Sequence, residues 1–382
     1  MDMPMKRILF VFGTRPEAIK LVPLIKGVKS EKQDLHASVC VTSQHKDMLI
    51  QVLNHFDVVP DYDLNIMKEG QDLFHVTAKG LEKIQLVFEK ENPNAVIVQG
   101  DTNTTFLASL AAYYKKIKIG HVEAGLRSWD KYNPFPEEQF RRMTDNLSDW
   151  CFAPTETAYQ NLIKENIPQE NIFITGNTGI DTLFMILEKQ KSLSEEKKFQ
   201  VRFTNDFGVK WDRKKIILVT IHRRESFGKD LLSICRGIKE LAHRAPQVQI
   251  IWPLHPNPEV HQPVESQLGS VSNVFLVPPL DYSSFIWIMK HSTIILTDSG
   301  GIQEEAPSIG KPVLVLRKKT ERPEGIRAGT ARLIGVKSKD IAGESLALIQ
   351  NESSYRKMAQ RVNPYGDGKA SQRIIQILEK KL

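Results

Sequence analysis

At 382 residues, with 41% hydrophobic and 25% charged residues, the chain has the composition of a globular protein long enough for two domains and a sizeable core. Its net charge of +7 is spread along the chain, with no basic stripe interleaved with aromatics, which argues against nucleic acid and leaves a small anionic molecule as a sufficient partner. Cys40, Cys151 and Cys235 are far apart with no CxxC pair, and no apolar run is long enough to span a bilayer, so disulfides, structural zinc and a membrane anchor are not expected.

The first residues lack a signal-peptide layout, which leads us to expect a soluble cytoplasmic protein starting at Met5, with residues 1–4 an extension. From there, short β-rich runs alternate with helical patterns. Residues 8–12, 37–42, 95–99, 117–122, 150–153 and 172–175 read as strands. Amphipathic helical stretches lie between them at 18–29, 73–91, 104–115, 138–147 and 155–165. The pattern breaks over the polar stretch 187–215, read as a helix and a loop. Strands resume at 216–220, 248–252, 274–277, 294–297 and 313–316. Near-continuous apolar strands separated by helices are the signature of parallel sheets covered on both faces. The chain therefore reads as α/β, with two doubly wound domains facing a cleft. The first spans 1–176 and the second 177–366, and the tail 367–382, helical from 371, packs back on the first.

Ligands of such sheets bind beyond the carboxyl ends of the strands. Six of those ends carry chemistry-capable side chains, three in each domain: Gly13-Thr14-Arg15, Gln99-Gly100-Asp101-Thr102, His121-Val122-Glu123, His222-Arg223-Arg224-Glu225, His255, and Asp298-Ser299-Gly300-Gly301.

Ser299-Gly300-Gly301 opens a helix after a buried strand, a junction whose free N–H groups suit a phosphate. Glu304 and Glu305 follow one turn later and suit hydroxyls, so a diphosphate beside a polyol, a nucleotide sugar, is the natural ligand. The glycine turn before Arg15 and Lys20 is neither a Walker A loop nor GxGxxG, so a bound dinucleotide is not expected. Both cations can hold phosphates or can be solvated helix charges. Asp101, Glu123 and Glu137 form a set of carboxylates suited to acid–base work. Each has a structural alternative: Asp101 as cap of the helix from Thr104, Glu137 as a first-turn charge, Glu123 as salt-bridge partner of Arg127. His222 sits beside basic groups, as phosphate sites require. Arg317 and the loop from Thr320 to Gly325 add cations near the Ser-Gly-Gly turn. His121-Val122-Glu123 lacks further ligands at metal spacing, so no metal is expected.

Phe12 through Lys20, Gly100-Asp101-Thr102, His121 through Arg127, Pro134 through Glu138, His222 through Glu225, Thr297 through Pro307, Thr320 through Gly325 and Asn363 through Gly368 together resemble the non-hydrolysing UDP-N-acetylglucosamine 2-epimerases of bacteria. The resemblance implies two Rossmann-like domains in a GT-B-like arrangement, a homodimer, and no cofactor. It implies interconversion of UDP-GlcNAc and UDP-ManNAc through elimination of UDP to 2-acetamidoglucal and re-addition, serving cell-surface polysaccharide. It matches Asp101, Glu123, Glu137 and His222 to catalytic positions, Arg15, Lys20, Ser299, Gly300, Gly301, Glu305 and Arg322 to substrate contacts, and Gln44, His45, Arg223 and His255 to a regulatory second UDP-GlcNAc site.

Five positions depart from the family pattern. Ser226 and Phe140 stand where asparagines are usual, Lys46 where the Gln-His-Arg segment has its arginine, Asp47 where a glutamine is common, and Gly70 where an arginine is common. Asp47 would repel a diphosphate and Gly70 removes a cation, so weak or absent activation by UDP-GlcNAc is the expectation. The competing functions are a hydrolysing epimerase, a GT-B glycosyltransferase and a catalytically weak nucleotide-sugar sensor.

Overall fold

The computed structural model describes residues 5–31, 34–42, 46–66, 72–211 and 215–382. The chain divides into two compact units, one of residues 1–182 with 365–382 and one of residues 183–364.

The first unit is built on a seven-stranded sheet: β1 (Lys6–Phe12), β2 (Leu35–Val41), β3 (Tyr62–Asp63), β4 (Ala95–Gln99), β5 (Lys118–Val122), β6 (Trp150–Ala153) and β7 (Ile172–Ile174), in the order β3-β2-β1-β4-β5-β6-β7. The second has six strands: β8 (Ile216–Thr220), β9 (Gln249–Pro253), β10 (Val274–Val277), β11 (Ile294–Thr297), β12 (Val313–Val315) and β13 (Ala331–Leu333), in the order β10-β9-β8-β11-β12-β13. Every pairing is parallel. This is the expected α/β class with two doubly wound, Rossmann-like domains.

Apolar burial on both sheet faces holds each unit together. Ile8, Leu9, Phe10, Val11 and Phe12 of β1 are all buried, as are Ile217, Leu218 and Val219 of β8. Each such side chain contributes about 1.5–3 kcal/mol relative to exposure. In the second unit Val219, Trp252 and Leu296 pack with Leu231, Ile238, Ile341 and Leu346 of the covering helices Lys229–Arg244 and Ser338–Gln350.

Both sheets run outward in two directions from their first strand. The strand order reverses between β1 and β4, and again between β8 and β11. Flanking connections leave such a switch point in opposite directions and open a crevice at the carboxyl edge. The strands whose ends carry the six polar groups are neighbours there: β1, β4 and β5 in one sheet, β9, β8 and β11 in the other.

Three features differ from the sequence reading. β3 and β13 are edge strands of two and three residues, too short to show a pattern and formed through their neighbours. Residues 323–325, read as loop, begin the helix Pro323–Ala328, with proline preset for a first turn. Helix Glu137–Leu147, read as amphipathic, buries polar residues instead: Glu138, Thr144 and Asp145 are fully buried, whereas Met143 is 37% exposed.

Helix Thr178–Lys189 crosses from one unit to the next in sequence, and its first turns belong with the first unit, where Thr182 Oγ1 donates to Ile19 O. The last helix, Ala370–Lys381, buries Ile374, Ile375 and Leu378 in that unit. Buried Asp181 holds its start, accepting from Ala370 N at 3.2 Å, Ser371 N at 2.8 Å and Ser371 Oγ. Asp181→Ala should lower stability by about 1–2 kcal/mol, the scale of a lost helix cap. Hydrogen exchange should then accelerate first in residues 370–381; uniform acceleration would show that Asp181 does not hold this helix.

Candidate active site

In the first unit, three neighbouring strand ends carry the polar groups. After β1, the Gly13-Thr14 turn is held by Glu17, whose Oε2 accepts from Gly13 N at 3.0 Å, Thr14 N at 2.7 Å and Thr14 Oγ1 at 2.7 Å. Its Oε1 accepts from Thr102 Oγ1 at 2.6 Å and Thr105 Oγ1 at 3.1 Å, tying this turn to the one after β4. Arg15 and Lys20 lie in the following helix, Arg15–Glu31.

After β4 the chain turns at Gly100, whose φ of 76° is a left-handed conformation that glycine adopts without strain. Asp101 does not cap the next helix. Thr102 does, accepting from Thr105 N at 3.2 Å, which leaves Asp101 to pair with Arg141. After β5, Glu123 pairs with Lys20 and accepts from the Gln99 amide. Arg127 is not its partner. The fully buried Arg127 side chain bonds Asp145 at 2.6 Å and Glu165 at 2.5 Å. Gly125 between them has φ of 86°, and a Cβ there would lie 2.3 Å from Ala158 O. Glu137 opens helix Glu137–Leu147, and its Oε2 is buried with no hydrogen-bond partner among the described residues. Asp101 and Glu123 thus leave adjacent strands, each beside a cation, while Glu137 keeps a desolvated oxygen available to accept a proton or a hydroxyl.

In the second unit, Asp298 after β11 organises the site. Fully buried, it accepts from His222 N at 3.2 Å, Arg223 N at 2.9 Å and Ser226 Oγ at 2.9 Å, and His222 Nδ1 lies 3.1 Å from its Oδ1. Burial alone would push its carboxyl up, but His222 and these donors outweigh it and hold Asp298 below the usual carboxylate range. The ring of His222, next in the chain to Arg223, thus rests on the Asp298 carboxylate. His255 follows β9, and its Nδ1 accepts from Asn257 N at 3.2 Å. Burial and the nearby His222 push its imidazole below the ordinary value.

Ser299 precedes helix Gly300–Glu305 and leaves its hydroxyl unused as a cap. Two guanidinium groups converge on Gly300: a Cβ there would lie 3.5 Å from Arg322 Nη2 and 3.7 Å from Arg223 Nη2. Gly301 has no atom within 4 Å of such a position, so that side is open. Arg322 also pairs with Glu304, and Glu305 accepts from the Tyr282 hydroxyl at 3.0 Å. Arg317 differs from expectation: it is buried, bridging Glu225 at 2.7 Å and Glu321 at 3.3 Å, and braces the loop from within.

Gln44, His45 and Gly70 lie outside the described residues, as does the side chain of Asp47. Among the described residues no cluster of three or more histidine, cysteine or acidic side chains is arranged for a metal ion, and no helix is long and apolar enough to cross a membrane. Sequence reasoning passed over Arg141 and Asp145, and gave Glu17, Gln99, Glu138 and Asp298, though they stand in its motifs, no role of their own. Their one signal was a charged residue at a helix position or strand end flanked by buried neighbours.

Two Rossmann-like sheets, one with carboxylates on its strand ends and the other with arginines around an open glycine turn, define a GT-B-like α/β protein. A family model described as UDP-N-acetylglucosamine 2-epimerase matches residues 28–379. A UDP-N-acetylglucosamine 2-epimerase of Salmonella typhimurium is 50% identical over 376 residues, covering 98% of each chain, and one of Campylobacter jejuni is 50% identical over 378 residues, again 98% of each. The crystal structure of UDP-GlcNAc 2-epimerase from Neisseria meningitidis bound to UDP-GlcNAc superposes with a TM-score of 0.91 at 48% identity, over 98% of this chain and all of that one. The chain belongs to the UDP-N-acetylglucosamine 2-epimerase family.

Asp298→Asn would turn an amide N–H₂ toward donors that now meet an anion, and should cost about 2 kcal/mol at neutral pH. The folded-state pKa of Asp298 is depressed, so its contribution is present above the ordinary carboxylate pKa of about 4 and is lost as pH falls through the folded value. Urea unfolding of the two proteins should therefore differ most near pH 7 and converge below about pH 4. A gap independent of pH would show that the charge is not what matters.

Proposed function

We propose that this protein catalyses the reversible C2 epimerisation of UDP-GlcNAc and UDP-ManNAc without hydrolysis. The family supports UDP-GlcNAc 2-epimerase activity. The observation that carries the reading further is the pair of carboxylates Asp101 and Glu123 on the neighbouring ends of β4 and β5, with Glu137 opening the helix whose Arg141 meets Asp101 and one Glu137 oxygen buried and unpaired among the described residues.

The C2 hydrogen of a pyranosyl diphosphate is not acidified by a carbonyl. Its removal has to be coupled to departure of UDP from C1. In an anti elimination a carboxylate takes the C2 proton, the C–H electrons form the C1–C2 double bond, and the C1–O bond breaks with its pair leaving on UDP. The product is 2-acetamidoglucal. Protonation of C2 from the opposite face and return of the diphosphate to C1 give the epimer. Two faces require two proton-transfer groups, which the set of three provides. The leaving diphosphate needs fixed positive charge where its own charge grows. Arg322 and the Ser299, Gly300 and Gly301 backbone are assigned that role, and Arg223, which the family resemblance matches to a regulatory site, is assigned to it as well because its guanidinium converges on Gly300. Glu305 is assigned to the ribose, Arg15 and Lys20 to substrate contact, and His222, oriented by Asp298, to the catalytic set. The reaction needs neither a redox cofactor nor a metal. The protein is read as a cytoplasmic homodimer supplying ManNAc units for surface polysaccharide.

UDP-GlcNAc incubated with the enzyme in deuterated water should yield UDP-ManNAc, with deuterium at C2 of both sugars by proton NMR and no free ManNAc. Epimerisation without label would remove the elimination mechanism, and free ManNAc with UDP would replace it by a hydrolysing one. The amides of Asp101, Glu123 and Glu137 should each lower kcat by about 100-fold or more with small changes in KM. Near wild-type turnover in all three would refute the site.

A further inference from the structure

A buried charge cluster that the proton transfers do not use lies behind Asp101 and Glu123. His121, in β5, is fully buried, and both ring nitrogens face acceptors: Nδ1 is 2.6 Å from Asp145 Oδ1, and Nε2 is 2.7 Å from Gly100 O. A carbonyl oxygen has no hydrogen to give, so Nε2 carries one. Burial pushes the Asp145 carboxyl up, but the charges and hydrogen bonds of His121 and Arg127 outweigh this and keep it ionised. An ionised carboxylate only accepts, so the ring is clamped between two acceptors. The other Asp145 oxygen takes the Arg127 guanidinium at 2.6 Å and the Gly125 N–H at 3.2 Å. Arg127 also reaches Glu165 at 2.5 Å.

One ring, one backbone N–H and one guanidinium from the segment between His121 and Arg127 therefore close on a single carboxylate of helix Glu137–Leu147. Glu123 sits at the crest of that segment with φ of 70°. A residue other than glycine persists in this left-handed conformation only where its surroundings hold it. The same ring fixes the carbonyl of Gly100, whose N–H is bound to Val122 O at 3.0 Å. Asp101 leaves from this turn and meets Arg141, one helical turn before Asp145.

We propose that Asp145 is the positioning residue of the site. It touches no substrate, and through His121, Gly125 and Arg127 it holds the backbone beneath both Glu123 and Asp101. The proposal rests on the epimerase reading above.

Asp145→Asn keeps the side chain's size and removes its charge. In the full-length protein with UDP-GlcNAc, kcat and the rate of deuterium entry at C2 should fall together by about 100-fold or more, with KM within about threefold, because the groups are present but misplaced. A kcat within about fivefold of wild type, or a KM that rises in step with the loss of kcat, overturns the proposal. If the variant does not fold, Asp145→Glu decides: a folded protein whose kcat falls by about 10-fold or more at unchanged KM, because the longer side chain displaces the same donors, upholds the positioning role, and wild-type kcat overturns it. A wild-type protein that leaves UDP-GlcNAc unchanged would instead refute the epimerase reading, an outcome visible before any variant is made.

Discussion

A carboxylate taken out of water has to collect hydrogen-bond donors, and the donors collected here belong to the loops that carry the candidate chemistry. Glu17 gathers the turns after β1 and β4. Glu138 accepts from Ser128 N at 3.0 Å and Trp129 N at 3.1 Å. Asp145 closes the segment after β5, and Asp298 the one after β8. A single such bond contributes about 1 kcal/mol net, but leaving a buried partner unmet costs about 1–3 kcal/mol. Each carboxylate therefore resists any loop movement that would strip its donors together. The sheets bring the strand ends to one edge, and the buried acids decide how the chain leaves them.

The same reasoning ranks the ion pairs. Lys79–Glu82 and Arg356–Glu352 are exposed helix pairs, worth about 0–1 kcal/mol each and weakened by salt. Arg127 and Asp145 have no exposed side-chain surface, and removing one buried partner typically costs about 3–5 kcal/mol. Between these extremes lie Lys20 with Glu123 and Arg141 with Asp101, which retain 10–31% exposure. Those pairs are partly withdrawn from water yet open enough for a ligand to reach them.

The longer strands were legible because each is an apolar run bounded by polar turns. β4, β8, β10 and β11 lie where the pattern places them. The short edge strands β3 and β13 have no such run. Their formation is a tertiary event that local sequence does not encode. Candidate side chains beside glycines at strand ends were legible for the same reason as the strands. The buried acids were not, because a carboxylate in a helical pattern reads as a solvated charge. Glu138 and Asp145 lie seven residues apart, on one face of their helix, with Arg141 between them. A polar stripe at that spacing signals an inward face only when the apolar residues opposite, such as Met143, are known to lie outside.

Two departures from the family pattern gain a physical account from their neighbours. Ser226 is buried and donates its hydroxyl to Asp298 at 2.9 Å, so the position still supplies a donor to the carboxylate that orients His222. A serine there keeps the bond with a shorter reach. Phe140 stacks on Phe106 with ring centroids 5.3 Å apart and planes 9° from parallel, joining helix Glu137–Leu147 to helix Asn103–Tyr114. Those helices begin with Glu137 and directly after Asp101-Thr102, so an apolar contact between them steadies the elements from which two of the carboxylates project. Each of these two substitutions thus forms an interaction of its own, Ser226 with the carboxylate beside His222 and Phe140 with the neighbouring helix.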